Sequence, residues 1–151
     1  MGREVEFHIG LSDKPDYACR LLRKAQARGI RVVVTGAPEA LARLDSLLWT
    51  FDPGEFIPHA RLRAGQAIEP VLARTPIWLA DQASAAGAAD VLVNLGPGMP
   101  DQHEGFGRVV ELVAVHENDA AAGRQRWRQY KAAGHTPRDM RQGGASASAT
   151  A

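Results

Sequence analysis

Ile30-Arg31-Val32-Val33-Val34, with Gly29 before it and Thr35-Gly36 after it, decides the fold. A β-branched run bounded by glycines reads as a strand buried on both faces, the habit of a parallel sheet. Upstream, Val5, Phe7 and Ile9 alternate with Glu6 and His8, the period of a strand with one face buried. Between the two runs Ser12 or Asp13 can cap a helix and Pro15 suits its first turn. Ala18, Leu21, Leu22 and Ala25 form the inward stripe of that helix, and its basic side chains face water. Gly29 supplies the left-handed stop after about Arg28. Strand, helix and strand make a βαβ unit, the crossover that parallel neighbours require.

Toward the carboxyl end, Leu41, Leu44, Leu47 and Leu48 repeat at helical spacing as far as Trp49. Phe51-Asp52-Pro53-Gly54-Glu55 is dense in turn residues, and Phe56-Ile57-Pro58-His59 reads as a short strand or edge segment limited by its proline. Residues 60–75 show no clean period and read as loop. Ile77-Trp78-Leu79-Ala80 and Val91-Leu92-Val93-Asn94-Leu95 are core strands, and Gly96-Pro97-Gly98-Met99-Pro100 ends the second of them. Residues 109–115 form the last strand, and Asn118 can cap a final helix over 119–133, stopped by Gly134 and Pro137. The sequence thus predicts one α/β domain over 1–141, a three-layer sandwich with a mainly parallel sheet and no internal repeat. Residues 142–151, rich in Gly, Ala and Ser, hold nothing large enough to bury and are expected to form a disordered tail.

The chain's 151 residues, 45% hydrophobic and 23% charged, have the balance of a folded globular protein. No window approaches the ~18 continuous apolar residues of a spanning helix, and no signal-type segment follows the charged opening, so the expected location is the cytoplasm. A single cysteine, Cys19, excludes an internal disulfide and every multi-cysteine metal site. The net charge of +1 conceals an asymmetry. Residues 119–141 carry six basic groups (Arg124, Arg126, Arg128, Lys131, Arg138 and Arg141) against Asp119 and Asp139, which leaves 12 basic and 15 acidic groups elsewhere. That division points either to an anionic partner for the C-terminal part or to a solvated helix face.

Chemistry is mostly absent. Thr35-Gly36-Ala37-Pro38-Glu39 stands where backbone N–H groups can hold a phosphate, but it lacks the lysine and the magnesium-binding hydroxyl of a nucleotide loop. The glycines around Pro97 and Phe106 lack the third glycine of a dinucleotide fingerprint. The five histidines (His8, His59, His103, His116 and His135) form no His-Glu-x-x-His pair, and no Gly-x-Ser-x-Gly elbow exposes a serine. Cys19 lies beside an apolar stripe and reads as a small core residue. The expectation is a nucleotide-binding-like topology without a functional nucleotide site, with no catalytic residue, metal or cofactor.

Two surfaces stand out instead. In the final helix Arg124, Arg128 and Lys131 fall at i, i+4 and i+7, and Trp127 lies three residues from Arg124 and four from Lys131. Guanidinium groups beside an indole suit an acidic peptide with an apolar end. They equally suit single-stranded nucleic acid, whose bases stack on aromatic rings. A third reading is that Trp127 and Tyr130 merely pack the helix onto the sheet. The second surface is the trio Trp49, Phe51 and Phe56 around a Pro-Gly corner, which is either core, the expected place for at least one of them, or an exposed patch for a partner.

These regions carry a resemblance. Val5-Glu6-Phe7, Gly29-Ile30-Arg31-Val32-Val33-Val34, Arg43-Leu44-Asp45-Ser46-Leu47-Leu48-Trp49, Phe56-Ile57-Pro58-His59, Asp90-Val91-Leu92-Val93-Asn94-Leu95 and the run from Arg124 to Gly134 together resemble the chi subunits of bacterial DNA polymerase III. The resemblance implies a non-catalytic adaptor of the clamp-loader assembly. Such proteins bind the acidic, phenylalanine-ended C-terminal tail of the single-stranded DNA-binding protein and link it to the polymerase through the psi subunit. It assigns the tail site to Arg124, Trp127, Arg128 and Lys131, with Arg124 and Arg128 on carboxylates and Trp127 beside the apolar end. It assigns contact with psi, or with a competing repair helicase, to Trp49 and Phe56. Contact with nucleic acid would then be mainly indirect. Ala120 stands where some chi proteins carry a lysine, and residues 60–75 do not follow the family pattern.

Overall fold

The computed structural model describes residues 4–51, 54, 56–63, 65–68, 70, 74–83, 89–101 and 103–141. Seven strands among them form one sheet: β1 (Glu4–Leu11), β2 (Val32–Thr35), β3 (Ala60–Leu62), β4 (Ile77–Ala80), β5 (Val91–Asn94), β6 (Arg108–Ala114) and β7 (Arg138–Arg141). Their spatial order is β3-β4-β2-β5-β6-β1-β7, and every neighbouring pair is parallel. Three α-helices serve as crossovers: α1 (Lys14–Ala27), α2 (Pro38–Thr50) and α3 (Glu117–Ala132).

Burial of the strand residues on alternating sides produces two core layers. Val32, Val34, Leu79, Val93 and Val110 face α1 and α2, packing on Leu22, Leu41, Leu44 and Leu48. Val5, Phe7, Val33, Leu92 and Val113 face the other way, onto Tyr130 and Trp127 of α3. The arrangement is a three-layer α/β sandwich. Cys19 lies in the first layer, where burial pushes its thiol up to about 11, so it is a packing residue.

Helix ends follow local chemistry. Asp13 caps α1 by accepting from the Asp16 N–H at 3.0 Å, and Gly29 follows at φ +72°. α3 starts two residues earlier than its spacing suggests, with His116 in the capping position instead of Asn118 and no side-chain cap bond. Gly123, a weak helix former, is needed inside α3: a Cβ there would lie 2.9 Å from both methyl groups of Val113, so the helix could not seat as closely on β6.

Four expectations are corrected. Residues 56–59 form no strand, and the strand of that region is instead β3, inside the stretch read as loop. β6 is not the last strand, because β7 follows α3 and pairs with β1. Arg126, counted with the solvated charges of α3, is 1% exposed. Finally, both faces of β1 are buried, since Glu6 and His8 lie under Tyr17, Arg108 and Arg138. Residues 52, 53 and 55 of the expected turn and the expected tail over 142–151 lie outside the described residues.

Glu6 accepts from His8 Nε2 at 3.1 Å, from Arg108 Nε and Nη2 at 3.1 and 2.8 Å, and from Arg138 Nη2 at 3.0 Å. The His8 hydrogen bond, helped by Arg108 and opposed by burial, holds its carboxyl at about 2 rather than 4.5. On acidification the unfolded chain therefore takes up this proton before the folded one. The stabilisation is full above about 4.5 and is lost as pH falls through about 2. Glu6→Gln should lose less stability than the wild type between about pH 6 and about pH 3, as urea midpoints at the two pH values will report.

Candidate functional site: the outer face of the last helix

The face that α3 turns outward is set by what it turns inward. Arg126 Nε donates to Glu111 Oε1 at 2.7 Å, and its Nη1 donates to the Pro97 carbonyl at 2.9 Å. The Tyr130 hydroxyl donates to Glu111 Oε2 at 2.7 Å, and Asn94 Nδ2 donates to both carboxylate oxygens at 3.0 and 3.1 Å. Thr35 Oγ1 in turn donates to Asn94 Oδ1 at 2.9 Å. Burial pushes the Glu111 carboxyl up, and Arg126, Tyr130 and Asn94 pull it back. The chain passes Arg126 at Gly96, where φ is +83° and a Cβ would stand 2.8 Å from Nη1, so glycine is required. One buried ion pair thus ties α3 to β6 and to the loop after β5.

With residues 123, 126 and 130 inward, Arg124, Arg128 and Lys131 face solvent. Arg124 Nη2 meets Glu117 Oε2 at 2.8 Å, with both side chains more than half exposed. Arg128 Nη2 donates to Gln125 Oε1 at 2.9 Å. Lys131 has no side-chain partner among the described residues. Exposed pairs of this kind contribute ~0–1 kcal/mol, so an incoming carboxylate can displace them. Trp127 is half-buried and meets the Phe7 ring edge-on at 5.1 Å. Tyr130 thus packs onto the sheet, the cations lie outside, and Trp127 spans the two.

The second surface lies at the end of α2. Trp49 and Phe56 are 59% and 60% exposed, with ring centroids 5.3 Å apart, whereas Phe51 is half-buried against the first core layer. Sequence reasoning missed the support beneath Trp49. His59 is buried with its ring 4.9 Å from the indole, and it is pinned by Ile57 O at 2.7 Å and Asp45 Oδ1 at 2.9 Å. The one signal available was the placement of Asp45 and His59 on either side of the aromatic corner. Phe56→Ser should change unfolding stability by less than about 0.5 kcal/mol, since the ring is mostly in water, as a denaturant melt will show.

Among the described residues no three His, Cys, Asp or Glu side chains converge as a metal centre requires. Nor is any helix among them long and apolar enough to cross a membrane.

Comparison with known proteins decides the family. The family model described as DNA polymerase III chi subunit, HolC, matches residues 2–138. The chain belongs to the DNA polymerase III chi subunit family. The DNA polymerase III subunit chi of Pseudomonas aeruginosa is 32% identical over 142 residues, which is 91% of this chain and 95% of that protein. The subunit chi of Haemophilus influenzae is 29% identical over 123 residues, 79% of this chain and 81% of that protein. In structure, the chain is similar to a C-terminal domain of S. cerevisiae Dbp5 solved with Gle1 and IP6, at a TM-score of 0.56 and 9% identity. That likeness covers 93% of this chain and 91% of that one, and it shows the fold alone. Membership in the chi family makes this chain a replisome accessory subunit.

Proposed function

We propose that this chi-family chain is a non-catalytic adaptor that captures the acidic C-terminal tail of the single-stranded DNA-binding protein on α3 and links it to the clamp-loader complex. One observation carries the reading: Arg124, Arg128 and Lys131 share an exposed face beside the half-buried Trp127, while the remaining arginine of the helix is spent inward on Glu111. Carboxylates of the tail exchange with Glu117 and Gln125 for the two guanidinium groups, and the terminal aromatic side chain lies against Trp127. Trp49 and Phe56, side by side and exposed, serve the second contact, to the psi subunit or to a repair helicase. Two surfaces on opposite layers of the sandwich are what an adaptor needs, because both partners then bind at once.

The experiment is a capture assay in which the purified chain is offered the full single-stranded DNA-binding protein and its tail-deleted form. Retention of the full protein alone supports the reading. Equal retention of both forms, or tight binding of bare single-stranded DNA that a tail peptide does not displace, replaces it with direct nucleic-acid binding.

A further inference from the structure

Lined by none of the residues of the two partner surfaces, a cleft of about 530 Å³ between α1 and the sheet is left unused by the adaptor reading. It follows one stripe of α1, through Tyr17, Leu21, Lys24, Ala25 and Arg28, over about 16 Å of helix. Its floor is aliphatic: Val32, Val91, Val93 and Val110 share the α1 side of β2, β5 and β6. Arg108, paired in register with Val91, closes it from the sheet side.

Among the described residues that line this cleft, only one sign of charge is unanswered. Its three acids are all engaged: Asp13 on the Asp16 N–H, Asp16 on Arg20 at 3.1 Å, and Glu6 on His8, Arg108 and Arg138. Lys24 is half-buried, and neither it nor the exposed Arg28 has a side-chain partner among the described residues. Arg108 uses its Nε and one Nη2 hydrogen on Glu6, which orients the guanidinium and leaves further N–H groups to donate. A preorganised guanidinium and two unpaired cations at the mouth of an aliphatic trough ask for a ligand that is anionic at one end and apolar along the rest.

The geometry points to this cleft as a binding site for an amphiphilic anion, with a carboxylate or phosphate head at Lys24, Arg28 and Arg108 and an unbranched apolar body along the half-buried Leu21 and Ala25. It stands independently of the tail-binding reading, since no residue is shared between the two sites.

The test titrates the full chain with decanoate and with decyl phosphate below their micellar concentrations, followed by calorimetry and by amide NMR shifts, with decyltrimethylammonium as the charge control. Saturable one-to-one binding of at least one anion is expected, with shifts centred on α1, β5 and β6, and the anion that binds more tightly identifies the head group. Lys24→Ala combined with Arg28→Ala, both changes at the rim, should weaken binding about tenfold or more. Ala25→Phe, which fills the trough, should abolish it. Three results would overturn the site: no saturable binding of either anion, equal affinity for the cationic amphiphile, or affinity unmoved in the rim variant. The rim variant decides the matter even where Ala25→Phe fails to fold.

Discussion

Arg126→Met should lose about 3–5 kcal/mol of stability, because it strands the buried Glu111 carboxylate without its cation. Glu111 is 0% exposed, so the carboxylate that remains has no water to turn to. Tyr130 and Asn94 still donate to it, but two neutral hydrogen bonds replace a guanidinium poorly in a low-dielectric interior. Without Arg126, the burial that already pushes this carboxyl up is opposed only by the Tyr130 and Asn94 hydrogen bonds among the described residues, and the group folds protonated. A folded pKa above the unfolded one gives stability that is present at low pH and lost as pH rises. The variant's deficit should therefore shrink between about pH 8 and about pH 5, which urea melts at both values will measure. A deficit independent of pH would show that Glu111 keeps its charge by some other means. Pairing the change with Glu111→Leu should give less than the sum of the two single losses, because the stranded charge is then gone.

The second large effect concerns binding. A micromolar complex amounts to about 8 kcal/mol, and a hydrogen bond to a charged group contributes about 1.5–3 kcal/mol, so each guanidinium on a tail carboxylate accounts for roughly tenfold to a hundredfold in affinity. Arg124→Ala with Arg128→Ala should weaken capture of an acidic tail by about a hundredfold or more. The folded state should hardly notice, since among the described residues the bonds lost are the exposed ones to Glu117 and Gln125. Salt should imitate the variant in part, because the screening length falls from ~10 Å at 0.1 M to ~3 Å at 1 M. Trp127 is a less clean probe, because its ring also packs on Phe7.

The contrast between Arg126 and its neighbours shows what could be read from the sequence. Helical spacing placed Arg124, Arg128 and Lys131 on one face, and the structure keeps them there. Nothing in spacing distinguishes an arginine that faces water from one that meets a buried glutamate fifteen residues earlier in the chain, since the pairing exists only once α3 has docked on β6. The same holds for Glu6 and His8. Their alternation with Val5, Phe7 and Ile9 suggested a wet face, and only the later arrival of Arg108 and Arg138 makes that face dry.

The strands divide similarly. β2, β4 and β5 announce themselves because central parallel strands must be apolar on both sides. β3 and β7 occupy the two edges, where one side pairs and the other does not, and their sequences, Ala-Arg-Leu and Arg-Asp-Met-Arg, carry no apolar run to betray them. Trp49 and Phe56 reverse the usual rule. Large aromatic residues default to the core, and it is the exposure of this pair, with the His59 ring held against the indole, that supports the proposal of a contact surface there.

The most direct measurement is a fluorescence-anisotropy titration of a labelled acidic peptide ending in phenylalanine, against the wild-type chain and against the chain carrying Arg124→Ala and Arg128→Ala. Saturable, salt-sensitive binding to the first and a loss of about a hundredfold in the second is the predicted result. Equal affinity for both chains, with both shown to be folded, would contradict the assignment of α3 as the tail-binding face.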